Sequence, residues 1–259
     1  MFLRIPIEMI RPVAVIIRAI SASESANAMD ISWLDFFSGG VPALAYFRIQ
    51  VDGVKKLVSS PPDETTFNPT AELCIIGLAA YFEAYCKNEF AAVVNICPET
   101  LRGFAEKRDC RIVAKNLLNI VSELDHSLGF VVAEEYDFGS PKSINGLFQD
   151  LINITPFSTK QAGRYSHFLN DRNLLVHHGG VYTAKYKSQK SMKIGAEERM
   201  YFDSLVVRSK DVIQWADFLT MIATKTGEAL KTTLLEFVTS NKLTCDSERM
   251  KAIEALAMN

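Results

Sequence analysis

The chain has 259 residues, of which 48% are hydrophobic and 22% charged, a composition typical of a globular protein and unlike that of a disordered one. Its 28 basic and 30 acidic residues give a formal net charge of −2, which excludes a generally basic DNA-coating protein but not a local basic site. The 13 glycines and 9 prolines disfavour a loop-rich β-sandwich and favour helices.

The first segment, residues 1–28, differs in character from the rest. Pro6 and Pro12 interrupt its apolar runs, and Val13–Ile17 is the longest clean one, which is too short for a signal peptide or a membrane span. We therefore predict a weakly ordered tail without stable membrane insertion. A surface-lying amphipathic helix is the alternative, and would make the protein a membrane-associated effector.

Breaks in the helical sequence pattern divide the rest of the chain into three further segments. Residues 29–67 form an aromatic-rich helical extension and a linker, because the adjacent Pro61 and Pro62 cannot continue a helix. Residues 68–240 read as a helical bundle, and 241–259 as a C-terminal tail that can add a short helix. The predicted fold class is all-α.

Apolar spacing near 3.6 residues predicts most of the helices. The segment 72–94 is apolar on nearly every side and is predicted to lie inside the bundle. Two stretches are predicted to connect helices, 130–142 as an irregular connection and 181–196 as a loop or short hairpin. The other predicted helices are 98–124 with a break near 108–110, 144–152, 159–178 and 209–239.

Five cysteines are too widely spaced for a CxxC zinc motif, and their number is odd. We therefore predict free thiols in a reducing cytoplasm, with neither a bound metal nor another cofactor. The cysteines are Cys74, Cys86, Cys97, Cys110 and Cys245.

One short stretch, 171–180, stands out at the end of the helix predicted over 159–178. Successive helical residues turn by about 100°, so Asn173 and His177 fall about 40° apart on the arc that begins at Arg172. The same geometry places His178 on the opposite side, among leucines.

That arc suits metal-independent cleavage of a phosphodiester. A histidine can take or give a proton near neutral pH, and Arg172 supplies a permanent cation for charge that builds on a phosphate. Asn173 can fix the ring of His177. RNA suits such a site because its own 2′-hydroxyl can be the nucleophile.

Basic residues follow the arc, and no acidic residue occurs from Arg172 through Ala196. Lysines there could hold backbone phosphates, and interleaved tyrosines could stack a base. The candidate RNA-binding residues are Lys185, Lys187 and Lys190. Tyr182 precedes them, and Tyr186 lies between the first two.

Simpler interpretations exist for each of these features. An arginine and a histidine at this spacing occur by chance in many helices, and a lysine stretch is often only a solvated loop. His178 is interpreted as a packed or capping residue with at most a supporting role. His126 and His167 are interpreted as structural.

The arrangement as a whole resembles the HEPN superfamily of small all-helical domains. The resemblance rests on the apolar opening helix, the long second and closing helices, and an arginine and a histidine, Arg172 and His177, with four residues between them. It covers roughly residues 68–240. Gly179 stands where one variant of the family motif has tyrosine, which puts antitoxin-directed modification of such a tyrosine in doubt.

The resemblance implies a helical bundle that often dimerises and brings two Arg/His pairs into one cleft. It implies that Arg172 stabilises the phosphorane, that His177 transfers protons and that Asn173 orients or binds phosphate. The expected function is a metal-independent endoribonuclease, a toxin or phage-defence effector with RNA, a second copy and an antitoxin protein as partners. The alternative is a non-catalytic helical module that binds a nucleotide, RNA or a protein.

Overall fold

A computed structural model describes residues 31–59, 68–110, 123–189 and 204–258 of the chain. Within these ranges the protein is all-α: helices and turns account for the regular structure, and a lone antiparallel bridge joins Val181 to Ser204. The predicted tail at 1–28, most of the linker before residue 68 and the candidate residue Lys190 lie outside the described residues.

Two short 3₁₀ turns, Trp33–Phe36 and Ser38–Gly40, precede the α-helices in the described chain. The helices are α1 (Ala43–Val58), α2 (Pro69–Ile96), α3 (Thr100–Lys107), α4 (Leu124–Glu134), α5 (Pro141–Ile152), α6 (Thr159–His178), α7 (Ala184–Gln189), α8 (Ser209–Ser240) and α9 (Ser247–Ala255). The predicted helices at 72–94, 144–152, 159–178 and 209–239 are confirmed, with ends that differ by at most three residues.

The structure corrects two of the predicted connections. Helix α4 continues to Glu134 because Leu128, Val131 and Val132 are buried, so only residues 135–140 connect it to α5. The stretch predicted as a loop or hairpin at 181–196 contains the short helix α7. The break predicted near 108–110 is confirmed, since Arg108 has extended backbone angles, and residues 111–122 of the helix predicted over 98–124 lie outside the described residues.

The contacts divide the chain into two compact units. The first comprises the described parts of Met1–Phe47, Ala84–Pro156 and Ala223–Asn259, and the second comprises those of Arg48–Glu83 and Phe157–Ile222. The division falls inside α1, α2 and α8, whereas the boundaries predicted from the sequence lie at residues 67 and 240. Those boundaries stay predictions.

The first unit is built around a polar network at the C-terminal end of α2. The amide of Asn95 donates to the Phe36 carbonyl at 3.1 Å and accepts from the Gly129 N–H at 2.6 Å. Arg249 of α9 donates to the carbonyls of Asn95 and Ile96 at 3.1 and 2.6 Å. Because these carbonyls end a helix, the buried arginine satisfies acceptors that would otherwise lack a donor.

The second unit is held by aromatic packing against α6. Tyr165 lies with its ring centroid 5.2 Å from that of Phe82 and 5.0 Å from that of Phe157. One turn later, Phe168 packs on Trp215 of α8 at 4.9 Å. These contacts fix the rotation of α6 about its axis, and therefore decide which of its side chains reach solvent.

None of the helices in the described ranges combines the length and the apolar character that a bilayer crossing requires.

Candidate functional site

Helix α6, which carries the candidate motif, has a defined start and a defined end. At its start the Ser158 hydroxyl accepts from the Gln161 N–H at 3.4 Å, while the Ser158 N–H donates to the Gln161 side chain at 2.9 Å, the reciprocal pattern of a capping box. At its end Gly179 has a φ of 55°, a left-handed conformation that glycine adopts without a steric cost. Gly180, at a φ of 80°, then turns the chain back.

Helix α6 has a buried side made of core residues and an exposed side that carries polar residues. Tyr165, Phe168, Leu174 and Leu175 are buried. Asn173, His177 and His178 are exposed. The last two turns of the helix therefore present an amide and two imidazoles to solvent.

Helix α7 is anchored beside α6 through Tyr186. Its hydroxyl donates to the Asp171 carboxylate at 2.8 Å, and its backbone N–H donates to the Thr183 hydroxyl at 3.1 Å. Burial, followed by the hydrogen bond to Asp171 and that residue's charge, raises the pKa of Tyr186 well above its ordinary value. The phenol therefore stays protonated as a donor.

The tyrosines predicted to stack a base are engaged with each other. The rings of Tyr182 and Tyr186 stack with their centroids 5.2 Å apart, and Tyr186 is only 6% exposed. The prediction that Tyr186 stacks a base is therefore wrong, because its ring is used to hold α7 in place.

A groove of about 240 Å³ lies where the end of α6 meets α7. None of the described residues that line it is acidic. They are Asn170, Asn173, Leu174, His177, His178, Thr183, Lys185, Tyr186 and Gln189.

The structure brings Asn173 and His177 together in this groove, together with the exposed Lys185. His178 lines the same groove, so the prediction that it lies on the opposite side of the helix from Asn173 and His177 is wrong. The physical reason is that the groove covers a broad face of α6, whose lining residues are spaced i, i+3, i+4, i+7 and i+8 (Asn170, Asn173, Leu174, His177 and His178).

Two other candidate residues lie outside the groove. Arg172 is half-buried and does not line it, and its Nε atom is buried without a hydrogen-bond partner among the described residues. Lys187 is half-buried on α7 and also does not line the groove. Lys190 lies outside the described residues.

The chemically active side chains of the groove are available to a ligand. Among the residues that the structure describes, the side chains of Asn173, His177, His178 and Lys185 make neither a hydrogen bond nor an ion pair. The partial negative charge at the C-terminal end of α6 favours cations there. The groove thus combines one lysine side chain, two imidazoles and one amide.

A larger groove, of about 520 Å³, lies in the first unit and is mostly apolar. It is lined by Trp33, Met250, Lys251, Glu254, Ala255 and Met258. Its two charged side chains are paired elsewhere, Lys251 with Glu248 and Glu254 with Lys231. The smaller polar groove is therefore the better candidate for chemistry.

Sequence reasoning missed Asn170, Thr183 and Gln189 of the groove, and the Asp171–Tyr186 pair that supports it. The pair joins residues fifteen positions apart. No simple periodicity marks such a contact, although a buried tyrosine in a polar stretch is a usable signal.

We expect Tyr186→Phe to loosen α7 without unfolding the protein. Loss of the hydrogen bond to Asp171 should lower the free energy of unfolding by about 1 kcal/mol, and should speed amide exchange in Ala184–Gln189. Urea unfolding and hydrogen-exchange mass spectrometry measure the two effects. Tyr46→Phe, at an exposed tyrosine of α1, is the control, and equal behaviour of both variants would contradict the anchoring role.

The described residues contain no cluster of three histidine, cysteine, aspartate or glutamate side chains that could hold a metal ion. All five cysteines are free thiols.

In comparisons with known proteins, no family model matches the chain, and neither a curated protein nor a solved structure does.

Proposed function

We propose that the protein is a metal-independent endoribonuclease of the HEPN type. The observation that carries the proposal is the groove between α6 and α7, where Asn173, His177 and Lys185 converge without partners among the described residues. Because these side chains are exposed and make no bond within the described chain, they are free to bind a ligand, and their convergence in one groove favours a role in binding or chemistry.

Each group in the groove has a task in cleavage of RNA. His177 transfers protons, since an imidazole can serve as general acid and general base. Lys185 attracts the backbone phosphate, and Asn173 orients the ring of His177 or binds a phosphate oxygen. A role of Arg172 in stabilising the phosphorane is proposed from the family resemblance alone, because its side chain does not line the groove.

Wider aspects of the proposal also rest on the resemblance. They are a role as a toxin or phage-defence effector, an antitoxin protein as partner, and a homodimer. Binding of RNA by Lys187 and Lys190 is proposed instead from the run of basic residues after Arg172, which contains no acidic residue up to Ala196. Placement in the cytoplasm is proposed from the five free thiols.

A non-catalytic module is the second candidate. The same cationic groove would hold a phosphate of RNA or of a nucleotide even if no bond were broken. The balance of 28 basic and 30 acidic residues favours such a local interaction over extensive contact with a nucleic-acid backbone.

The test is RNA cleavage by the purified protein in EDTA, with His177→Ala beside the wild type. We expect cleavage that survives chelation and leaves 2′,3′-cyclic phosphate ends, and a loss of at least about 100-fold in the variant. His167→Ala is the matched control, because His167 is an exposed histidine on the same helix, outside the groove.

Several RNA classes should be tried with protein whose fold is verified by circular dichroism. Binding without cleavage by the wild type would favour the non-catalytic module. Equal cleavage by wild type and a folded His177→Ala variant would show that the groove is not the active site.

A further inference from the structure

The groove beside α6 and α7 carries two side-chain amides to which the proposed chemistry gives no task. Asn170 of α6 and Gln189 of α7 line the groove, and neither side chain makes a hydrogen bond to another described residue. Asn170 is half-buried and Gln189 is exposed. An amide offers both donors and an acceptor, so the two residues supply hydrogen bonds that cleavage of a phosphodiester does not use.

Asn170 lies two turns before His177 on the same line along α6. Seven residues turn a helix by about 700°, which is about 20° short of two full turns, and advance it by about 10.5 Å. A nucleotide has a span of that order between its phosphate and the outer edge of its base. A phosphate beside His177 therefore places the edge of a neighbouring base beside Asn170.

Helix α7 brings Gln189 to the same end of the groove. The chain reverses after α6, and by Tyr186 it has returned to the level of Asp171, to which the Tyr186 hydroxyl donates at 2.8 Å. Gln189 lies almost one helical turn further in the same direction, at the end of α7. The two amides therefore stand on opposite walls of the groove, one on each helix.

The remaining lining between the amides and His177 suits the flat face of a base. Leu174 and Tyr186 are only 3% and 6% exposed, so the core holds them in place, and bases pack readily on apolar and aromatic surfaces. The volume of about 240 Å³ lies below the roughly 300–1,000 Å³ of pockets for drug-sized ligands. It suits one base with its phosphate rather than a longer segment.

The hydrogen-bonding pattern of an amide selects among the bases. Adenine presents a donor beside an acceptor on two edges, N6–H with N7 and N6–H with N1, and side-chain amides pair with such an edge through two hydrogen bonds. Cytosine and uracil have only one edge on which a donor adjoins an acceptor. Two amides on opposite walls can therefore hold one adenine by both edges.

Guanine suits the amide end of the groove less well than adenine does. Its O6 and N7 atoms are adjacent acceptors, which arginine or lysine recognises, and its N1–H and N2–H donors together call for a carboxylate. Among the described lining residues there is neither an arginine nor an acid. Lys185 precedes Tyr186 in α7, toward the end of the groove where the proposed function places the phosphate.

We propose that Asn170 and Gln189 form a base subsite that selects adenine next to the bond that is cleaved. This inference rests on the proposed ribonuclease function and deepens it by naming the substrate class. The substrate is single-stranded RNA, because the edges of an unpaired base are accessible to side chains. The inference assigns the base alone, and is compatible with an active site assembled from two copies.

The first experiment measures binding of RNA that cannot be cleaved. A labelled uridine heptamer with a 2′-O-methyl group at every position lacks the nucleophile, and its central base is changed to adenine, cytosine or guanine. We expect the wild type to bind the adenine heptamer at least about tenfold more tightly than the other three, at one fixed salt concentration. Fluorescence anisotropy measures the affinities. Equal affinities, or preference for another base, would overturn the inference.

The second experiment repeats these measurements with variants. Asn170→Ala and Gln189→Ala should each reduce the preference for adenine to about threefold or less, and should leave binding of the all-uridine heptamer within about twofold of the wild type, because the phosphate contacts remain. Lys185→Gln should instead weaken all four heptamers alike. Gln214→Ala, at an exposed glutamine of α8 outside the groove, is the matched control. A full adenine preference in folded Asn170→Ala or Gln189→Ala would overturn the subsite.

The third experiment relates the subsite to the bond that breaks. The wild type cleaves a pool of random-sequence RNA, and the new ends are sequenced. We expect adenine at one of the two positions that flank the cut, at least about tenfold more often than any other base, and loss of this bias in Asn170→Ala. Cleavage without such a bias would overturn this inference and leave the ribonuclease proposal intact. Preference for the adenine heptamer without cleavage of any RNA would uphold the subsite and defeat the ribonuclease proposal.

Discussion

Gly129→Ala is expected to destabilise the protein by about 3 kcal/mol. A Cβ atom at Gly129 of α4 would overlap the carbonyl oxygen of Ala91 in α2 and lie 2.8 Å from both the carbonyl carbon of Ala91 and the Asn95 Oδ1 atom. Two of these three atoms belong to helix backbone, which no rotamer change can move. The helices would have to separate, and the hydrogen bond from the Gly129 N–H to Asn95 would weaken.

The matched control is Gly103→Ala. Gly103 is an exposed glycine in α3, and a Cβ atom there meets nothing within 4 Å. Alanine at that position should stabilise the protein by about 0.5–1 kcal/mol, because it restricts the unfolded chain and favours the helix. Urea unfolding measures both variants, and a Gly129→Ala protein as stable as the wild type would contradict the close helix contact.

Glu89→Gln is expected to remove a large pH dependence of stability. Glu89 of α2 is 0% exposed, and burial raises the pKa of its carboxyl to about 8 from an ordinary 4.5, with the Leu44 N–H lowering it in part. The contact with Leu44 is weak, since neither carboxylate oxygen makes a hydrogen bond of ordinary geometry to the described residues. The folded protein therefore holds a proton that the unfolded chain releases.

Proton linkage decides whether Glu89 makes the protein more or less stable as the pH rises. Between pH 4.5 and about 8 the folded state binds more protons at Glu89 than the unfolded state, so this group's contribution to stability falls as the pH rises through that window. At about 1.4 kcal/mol for each pKa unit, the fall amounts to a few kcal/mol.

Urea unfolding from pH 5 to pH 9 tests this expectation. Glu89→Gln should reduce the fall in the free energy of unfolding with rising pH. It should also make the protein more stable than the wild type at pH 9, because glutamine cannot ionise. Glu83→Gln, on the same helix but half-buried, should keep the wild-type decline. Parallel declines for the wild type and Glu89→Gln would contradict a protonated Glu89.

Local signals in the sequence account for the helices that were predicted well. Helix α6 has a Ser158 cap, a regular apolar face and Gly179 at its end, and each of these acts through neighbouring residues. Helix α7 was missed because a distant contact, from Tyr186 to Asp171, holds six residues in helical form. Propensity within so short a stretch is too weak to indicate it.

The candidate site, too, could be predicted only as far as neighbouring residues determine it. The spacing of Asn173 and His177 indicated that they share a face, and both line the groove. The groove itself could not be predicted, because it exists only where α7 returns beside α6. That return decides that Lys185 lines the groove and Lys187 does not, whereas His178 lines it from the same broad face of α6 as Leu174.

The sharp reversal at Gly179 and Gly180 also affects how the site forms during folding. The described residues that line the groove lie between Asn170 and Gln189, twenty consecutive positions. Closing so short a loop costs little entropy, and contacts between near neighbours form early. The groove can therefore assemble, open and close again as a local unit while the hydrogen bonds around Asn95 and Arg249 stay intact.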